Sequence, residues 1–254
     1  MKKAITTLLA LAGVVVGAEA SPFASVYVIS EDAHTQGGNP SALMVSSDGE
    51  TALSTAVLWA HGGAVTFDQD ENAITTSGTG TLQYLNKSQA GIELSTLSYT
   101  FDASWTKNEN GPSYFTSVGE DSLYNTYSFR IGIDENSNWT ITTSGYDAIT
   151  LTHQTAASAS GSSSYLVTSS LTDGVYTLSL YENNTLIVQG QGEYGFGQPG
   201  NFKIAFGGCF GTTDNAMAGT FSDISLYNAI IPEPATATLS LLALAGLAAR
   251  RRRK

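Results

Sequence analysis

Cleaving a glycosidic bond takes two carboxyl groups about 5–10 Å apart, which on one strand means acids spaced by two, sharing a face. Two pairs have that spacing, Asp48/Glu50 and Asp68/Asp70. The first spans a turn glycine, Gly49, and the second follows an apolar segment, Ala64 to Phe67, with no third carboxyl two positions on. Asp134-Glu135 and Glu120-Asp121 are adjacent and point to opposite faces of a strand. The spacing therefore gives no catalytic residues.

Asp68, Asp70 and Asn72 follow the D-x-D-x-N opening of a calcium loop, but Ala73 and Thr79 stand where that loop needs Gly and Glu. Two readings remain for Asp68 and Asp70, a looser calcium site at the rim of the fold and an ordinary polar turn. Gly190-Gln191-Gly192-Glu193-Tyr194-Gly195 has the dinucleotide spacing G-x-G-x-x-G. That motif works by opening a helix, which Gly197, Pro199 and Gly200 forbid. No nucleophile elbow and no phosphate-loop lysine occur. His34, His61, His153 and Cys209 are scattered without ligand spacing. Tyr194, Phe196, Tyr114 and Tyr124 flank turn or loop residues, where their rings are candidates for stacking on sugars or for filling the rim of the fold.

The elements that would carry these residues are short and alternating. Phe129, Ile131 and Ile133 alternate with Ser128, Arg130 and Gly132; Tyr176, Leu178 and Leu180, and then Phe202, Ile204 and Phe206, repeat the pattern. These are half-buried strands. Asp48-Gly49, Glu109 to Pro112, Asp173-Gly174 and Glu182-Asn183-Asn184 read as turns. Thr51 to Ala60 is the sole helix candidate, weakened by Thr and Val. Thr155 to Ser164 reads as a flexible Ser/Ala/Gly loop and Gly190 to Gly200 as a glycine-rich loop. The expectation is one all-β, two-sheet antiparallel sandwich of roughly 12 strands.

The chain has 254 residues and a formal net charge of −11. With both termini set aside, 20 carboxylates face only Lys87, Lys107, Arg130 and Lys203, which excludes nucleic acid as a natural partner. A single cysteine excludes a disulfide scaffold. Residues 1–20 read as a signal peptide: Lys2-Lys3, an apolar run from Ile5 to Val16, then Ala18 and Ala20 as the small residues that signal peptidase accepts. Cleavage is expected before Ser21. Residues 21–230 form the sandwich domain, and 231–254 a tail. In the tail, Pro232-Glu233-Pro234 precede an apolar stretch from Ala235 to Ala249 and the cluster Arg250, Arg251, Arg252, Arg253, Lys254. A helix over the stretch is about 22 Å long, a short transmembrane span whose basic end stays in the cytoplasm.

Tripeptide, span and arginine cluster in that order resemble the PEP-CTERM sorting signal. The resemblance implies a Gram-negative source, processing by an exosortase, transient anchoring in the inner membrane and delivery to the cell surface or extracellular matrix. A second resemblance covers most of Ile92 to Ala229. Leu97-Ser98-Tyr99-Thr100-Phe101, YSFRIGIDENSNWTITTSG, LTDGVYTLSLYENNTLIVQG, NFKIAFGG and FSDISLYNA resemble the laminin-G-like, concanavalin A-like jelly roll. Members of that family mostly bind sugars or proteins, and a minority are glycosidases. The Glu-x-Asp-x-Glu strand of its beta-glucanases has no counterpart here. The expected function is a non-catalytic adhesive, glycan-binding or structural module, with a polysaccharide or surface protein as partner and calcium as the sole candidate cofactor. The alternative is a secreted glycoside hydrolase on the same fold.

Overall fold

The structure, a computed structural model, describes residues 21–31, 42–53, 56–62, 65–86, 96–109, 111–120, 128–144, 149–193, 202–208, 215–229 and 231. Sixteen strands run through them. The first six are β1 (Ala24–Val28), β2 (Leu43–Ser46), β3 (Ala56–Gly62), β4 (Val65–Asp68), β5 (Ala73–Ser77) and β6 (Gly80–Asn86). Then come β7 (Ser98–Thr106), β8 (Ser113–Glu120), β9 (Ser128–Ile133), β10 (Trp139–Ser144) and β11 (Thr150–Gln154). The chain closes with β12 (Ser160–Thr172), β13 (Val175–Glu182), β14 (Thr185–Glu193), β15 (Phe202–Phe206) and β16 (Ala218–Tyr227).

They form two antiparallel sheets. The larger has the order β11-β14-β13-β12-β7-β16-β1-β2, with β5 also pairing β16 and β4 pairing β5. The smaller has the order β10-β9-β8-β15-β6-β3. This is the expected two-sheet sandwich, with more strands than the alternation alone revealed. No helix among the described residues is long and apolar enough to cross a membrane. Residues 1–20, read from the sequence as a signal peptide, and the tail from Pro232 onward lie outside the described residues.

Period-two alternation decides which side chains meet between the sheets. On β7, Tyr99, Phe101, Ala103 and Trp105 are buried while Asp102, Ser104 and Thr106 turn outward. On β9, Phe129, Ile131 and Ile133 face inward, and Trp139 and Ile141 do so on β10. Phe115 of β8 touches rings of the opposite sheet: Phe101 at 5.4 Å between centroids, Tyr165 at 4.9 Å and Phe221 at 5.7 Å. Trp105 donates its indole N–H to the Tyr165 hydroxyl at 2.7 Å, and that hydroxyl donates to Glu182 at 2.9 Å. A polar chain thus leads out of an aromatic core with each donor satisfied.

Three sequence readings are corrected. The helix candidate Thr51 to Ala60 ends instead in β3, where Leu58 and Ala60 face the core and pairing with β6 satisfies the backbone. The loop reading of Thr155 to Ser164 fails from Ser160 onward, because those residues pair with β7 from Ser160↔Thr106 to Ser164↔Asp102. Their small side chains are a packing requirement. A Cβ on Gly161 would lie 2.8 Å from the Trp105 ring. Gly190 and Gly192 belong to β14 rather than to a loop, and a Cβ on Gly190 would press 2.7 Å from Ile149.

The two ends of the described sandwich lie side by side. Ala24 of β1 is opposite Leu226 of β16, and the Phe23 N–H donates to the Leu226 carbonyl at 2.8 Å.

Candidate functional site

Outward-facing residues of three neighbouring strands build a groove on the larger sheet. Ser164, Asp102 and Ser222 lie abreast on β12, β7 and β16; Ser162, Ser104 and Thr220 lie abreast two residues along. Strands about 4.8 Å apart and alternate residues about 6.8 Å apart make this a pad of roughly 10 by 7 Å. The groove has a volume of about 320 Å³. The β13–β14 turn closes one end. Asn183 stands in the left-handed region at φ 47°, donates its backbone N–H to the Ser164 carbonyl at 2.9 Å and bonds the Ser163 hydroxyl through Nδ2 at 3.2 Å. Hydroxyls donate and accept, while an ionised carboxylate only accepts, so the pad suits a polyhydroxylated ligand. Asp102 is the one carboxylate among its lining residues. A single carboxyl can hold a sugar hydroxyl, but it supplies only half of an acid/base pair.

The other sheet has a different outer face. Tyr114 of β8 is half-buried there, with the Arg130 guanidinium carbon 5.4 Å from its ring centroid. Trp59 on β3 is 44% exposed, the largest exposed aromatic surface among the described residues. Sequence reasoning singled out Tyr114 but not Asp102 or Trp59. The alternation across Tyr99 to Trp105 marks Asp102 as outward-facing, yet nothing local tells a binding face from a solvated one.

The carboxylate pairs are spent on turns. Asp48 accepts from the Ser46 hydroxyl and from the backbone N–H groups of Glu50 and Thr51. The Thr51 and Glu50 bonds, then that of Ser46, hold its carboxyl well below the usual carboxylate range. Asp68 and Asp70 are exposed at the β4–β5 turn, where Asp68 accepts the Glu71 N–H at 3.0 Å. Asn72 is turned toward β1: its Oδ1 accepts the Val28 N–H at 2.8 Å and its Nδ2 donates to the Val26 carbonyl at 3.4 Å. Among the described residues no three His, Cys, Asp or Glu side chains gather as a metal site. Tyr124, Tyr194, Phe196, Cys209, Ala18, Ala20, Pro232, Glu233, Pro234 and Arg250 to Arg253 lie outside the described residues, while Ser21 is within them and exposed.

No family model matches the chain, and no curated protein matches it. Solved structures do. The crystal structure of the botulinum neurotoxin serotype C1 binding domain is 12% identical over 86% of this chain and 51% of its own, with a TM-score of 0.52. The likeness shows the fold, a two-sheet antiparallel sandwich. The binding domain of botulinum neurotoxin DC in complex with SialylT matches at 14% identity over 86% of this chain and 50% of its own, TM-score 0.44. The Ruminococcus gnavus IT-sialidase CBM40 bound to α2,6-sialyllactose matches at 16% identity over 56% of this chain and 87% of its own, TM-score 0.40. The chain spans about half the length of the neurotoxin binding domains it matches.

Proposed function

We propose that the protein is an exported surface or matrix protein whose sandwich binds glycans without catalysis. The observation that carries this reading is the hydroxyl-lined groove with Asp102 as its lone carboxylate. The likeness in fold to a binding domain supports it. Sugar hydroxyls would exchange hydrogen bonds with Ser104, Ser162, Ser164 and Thr220, and Asp102 would accept from a vicinal pair. Binding in such a shallow, wet site is weak per copy and gains from display of many copies on one surface.

A glycan array read with and without calcium, followed by titration of the best neutral oligosaccharide, tests the proposal. Asp102→Asn is expected to weaken that binding about tenfold, the scale of a lost charge-assisted hydrogen bond, and to leave the unfolding midpoint unchanged. Unchanged affinity would move the site off the groove. Hydrolysis of any glycan on the array would favour the glycosidase alternative.

The address of the protein belongs to the same proposal. Signal peptidase would release Ser21, and an exosortase would process the Pro232-Glu233-Pro234 tail after transient anchoring in the inner membrane. The support is the order of tripeptide, apolar stretch and arginine cluster in the sequence. The last described strand ends at Tyr227, so a chain truncated after Ala229 keeps each described strand of the sandwich. That truncation is expected to unfold cooperatively at the midpoint of the untruncated protein and to appear free in the medium. A truncated chain that does not fold would make the tail part of the structure.

A further inference from the structure

The hydroxyls of the groove continue past its lining residues. One rung of it, Ser162 of β12, Ser104 of β7 and Thr220 of β16, runs on in register to Thr75 of β5 and Thr66 of β4. Period two turns these side chains outward: Ile74 and Thr76 are buried on either side of Thr75, and Val65 and Phe67 on either side of Thr66. Thr66, Thr75, Ser104 and Ser162 are exposed, and Thr220 is half-buried. Five hydroxyls thus stand in one line across five strands, open to solvent.

The Thr75 and Thr220 hydroxyls are 2.9 Å apart and share one hydrogen bond. Each hydroxyl has one donor and two lone pairs, so the pair keeps a donor and three lone pairs for a ligand. A strand spacing of about 4.8 Å makes the line about 19 Å long. A pyranose ring in an extended chain advances by about one such spacing, so the line has room for roughly four rings.

Twist and charge select among such ligands. Adjacent strands rotate by about 20–25°, so the first and fifth strands differ in direction by about a right angle. A rigid crystal face cannot meet both ends of that line, whereas a single chain follows it by turning about its glycosidic bonds. On the neighbouring rung, Asp102 and Asp68 are joined in register through Ser222 and Ala73. Two carboxylates beside the line repel an anionic polymer.

We propose, resting on the groove as a glycan site, that its occupant is a single uncharged linear polysaccharide chain lying across the strands. Ser104, Ser162 and Thr220 hold the rings in the groove, and Thr75 and Thr66 hold the rings beyond it.

The full chain is run through native gels containing hydroxyethylcellulose, dextran, β-1,3-glucan, galactomannan or polygalacturonate. At least one neutral polymer is expected to retard it, and polygalacturonate to leave it unmoved. Oligosaccharides of the retarding polymer, two to six rings long, are then titrated. Affinity is expected to rise about tenfold from two rings to four and to level off by five. Thr66→Val together with Thr75→Val is expected to bring the four-ring sugar down to the two-ring level and leave the two-ring sugar unmoved. Valine suits an exposed strand, so the unfolding midpoint should hold in that variant. Asp102→Asn is expected to weaken both lengths alike.

Two rings bound as tightly as four, with Asp102→Asn still weakening both, overturn the extended line and leave the groove standing. A length dependence that survives the double valine variant overturns it too, as does retention on crystalline cellulose without affinity for soluble chains, or stronger retardation by polygalacturonate. Absence of retardation by each neutral polymer also overturns the line, and the groove falls with it only if no glycan binds at all.

Discussion

Phe115→Ala is expected to cost about 4 kcal/mol of unfolding free energy, at the upper end for a buried aromatic truncated in place. The ring is fully buried, and besides Phe101, Tyr165 and Phe221 it meets Trp105, also across the sandwich, at 6.1 Å and Trp139 of its own sheet at 5.5 Å. Removing it leaves a cavity bounded by five other rings. Those rings cannot collapse into it, because each is fixed by its own strand register. Chemical denaturation of the variant measures the loss, with Trp59→Ala, a side chain 44% exposed, as the comparison expected to stay below about 1 kcal/mol. A loss below about 1 kcal/mol for Phe115→Ala would mean that this ring does not join the two sheets.

The second large effect is alkaline unfolding. Burial pushes the Tyr99 and Tyr176 phenols well above the ordinary tyrosine value, and burial together with Glu182 does the same for Tyr165. A folded-state pKa raised above the unfolded value of about 10 leaves stability intact below that pH. Above it the unfolded chain ionises while the native state stays protonated, and stability falls until the folded groups ionise too. Tyr99 and Tyr176 alone give a slope of roughly 2.7 kcal/mol per pH unit. Against a total stability of about 5–15 kcal/mol, cooperative unfolding follows within a few units above pH 10. Tyrosinate absorbance and circular dichroism recorded together check this. A block of tyrosines should ionise at the pH where the sheet signal is lost. Full ionisation with the sheet signal unchanged would overturn the buried assignment.

The fold was legible wherever alternation and turn chemistry agreed. Asp173-Gly174 and Asn183-Asn184 stand at the hairpins between β12 and β13 and between β13 and β14, and all four residues have positive φ. Phe129, Ile131 and Ile133 show their inward face without help from the structure. Where the reading failed, local sequence carried the wrong signal. Ala56 to Ala60 is apolar on both faces, since Trp59 turns outward at the sheet edge, and period two is lost. Ser160 to Ser164 has the composition of a linker; its order comes from β7, some sixty residues earlier, whose Trp105 needs Gly161 beneath it. The groove was illegible for the same reason. Asp102, Ser164 and Ser222 become neighbours only through register, and each alone reads as a polar residue in water. The unpaired Ser117 hydroxyl and Arg130 Nε likewise emerge only from three-dimensional packing.

The adjacency of β1 and β16 also sets how the domain responds to force. Ala24 faces Leu226 at the end of the pair where the chain enters and leaves the sandwich. A load drawn between the two ends therefore falls on one rung of the ladder at a time, because the inter-strand hydrogen bonds lie across the strands. The pair opens like a zipper, at low force, and β1 and β2 come away before β7 and β12 are stressed. A load applied instead from the Gly78–Thr79 turn, at the far end of β16 where Ser77 pairs with Ala218, to the C-terminal end would strain many rungs at once. Anchored by a single end and pulled by its ligand, the domain would be mechanically strong; held by both ends, it would yield early and extend.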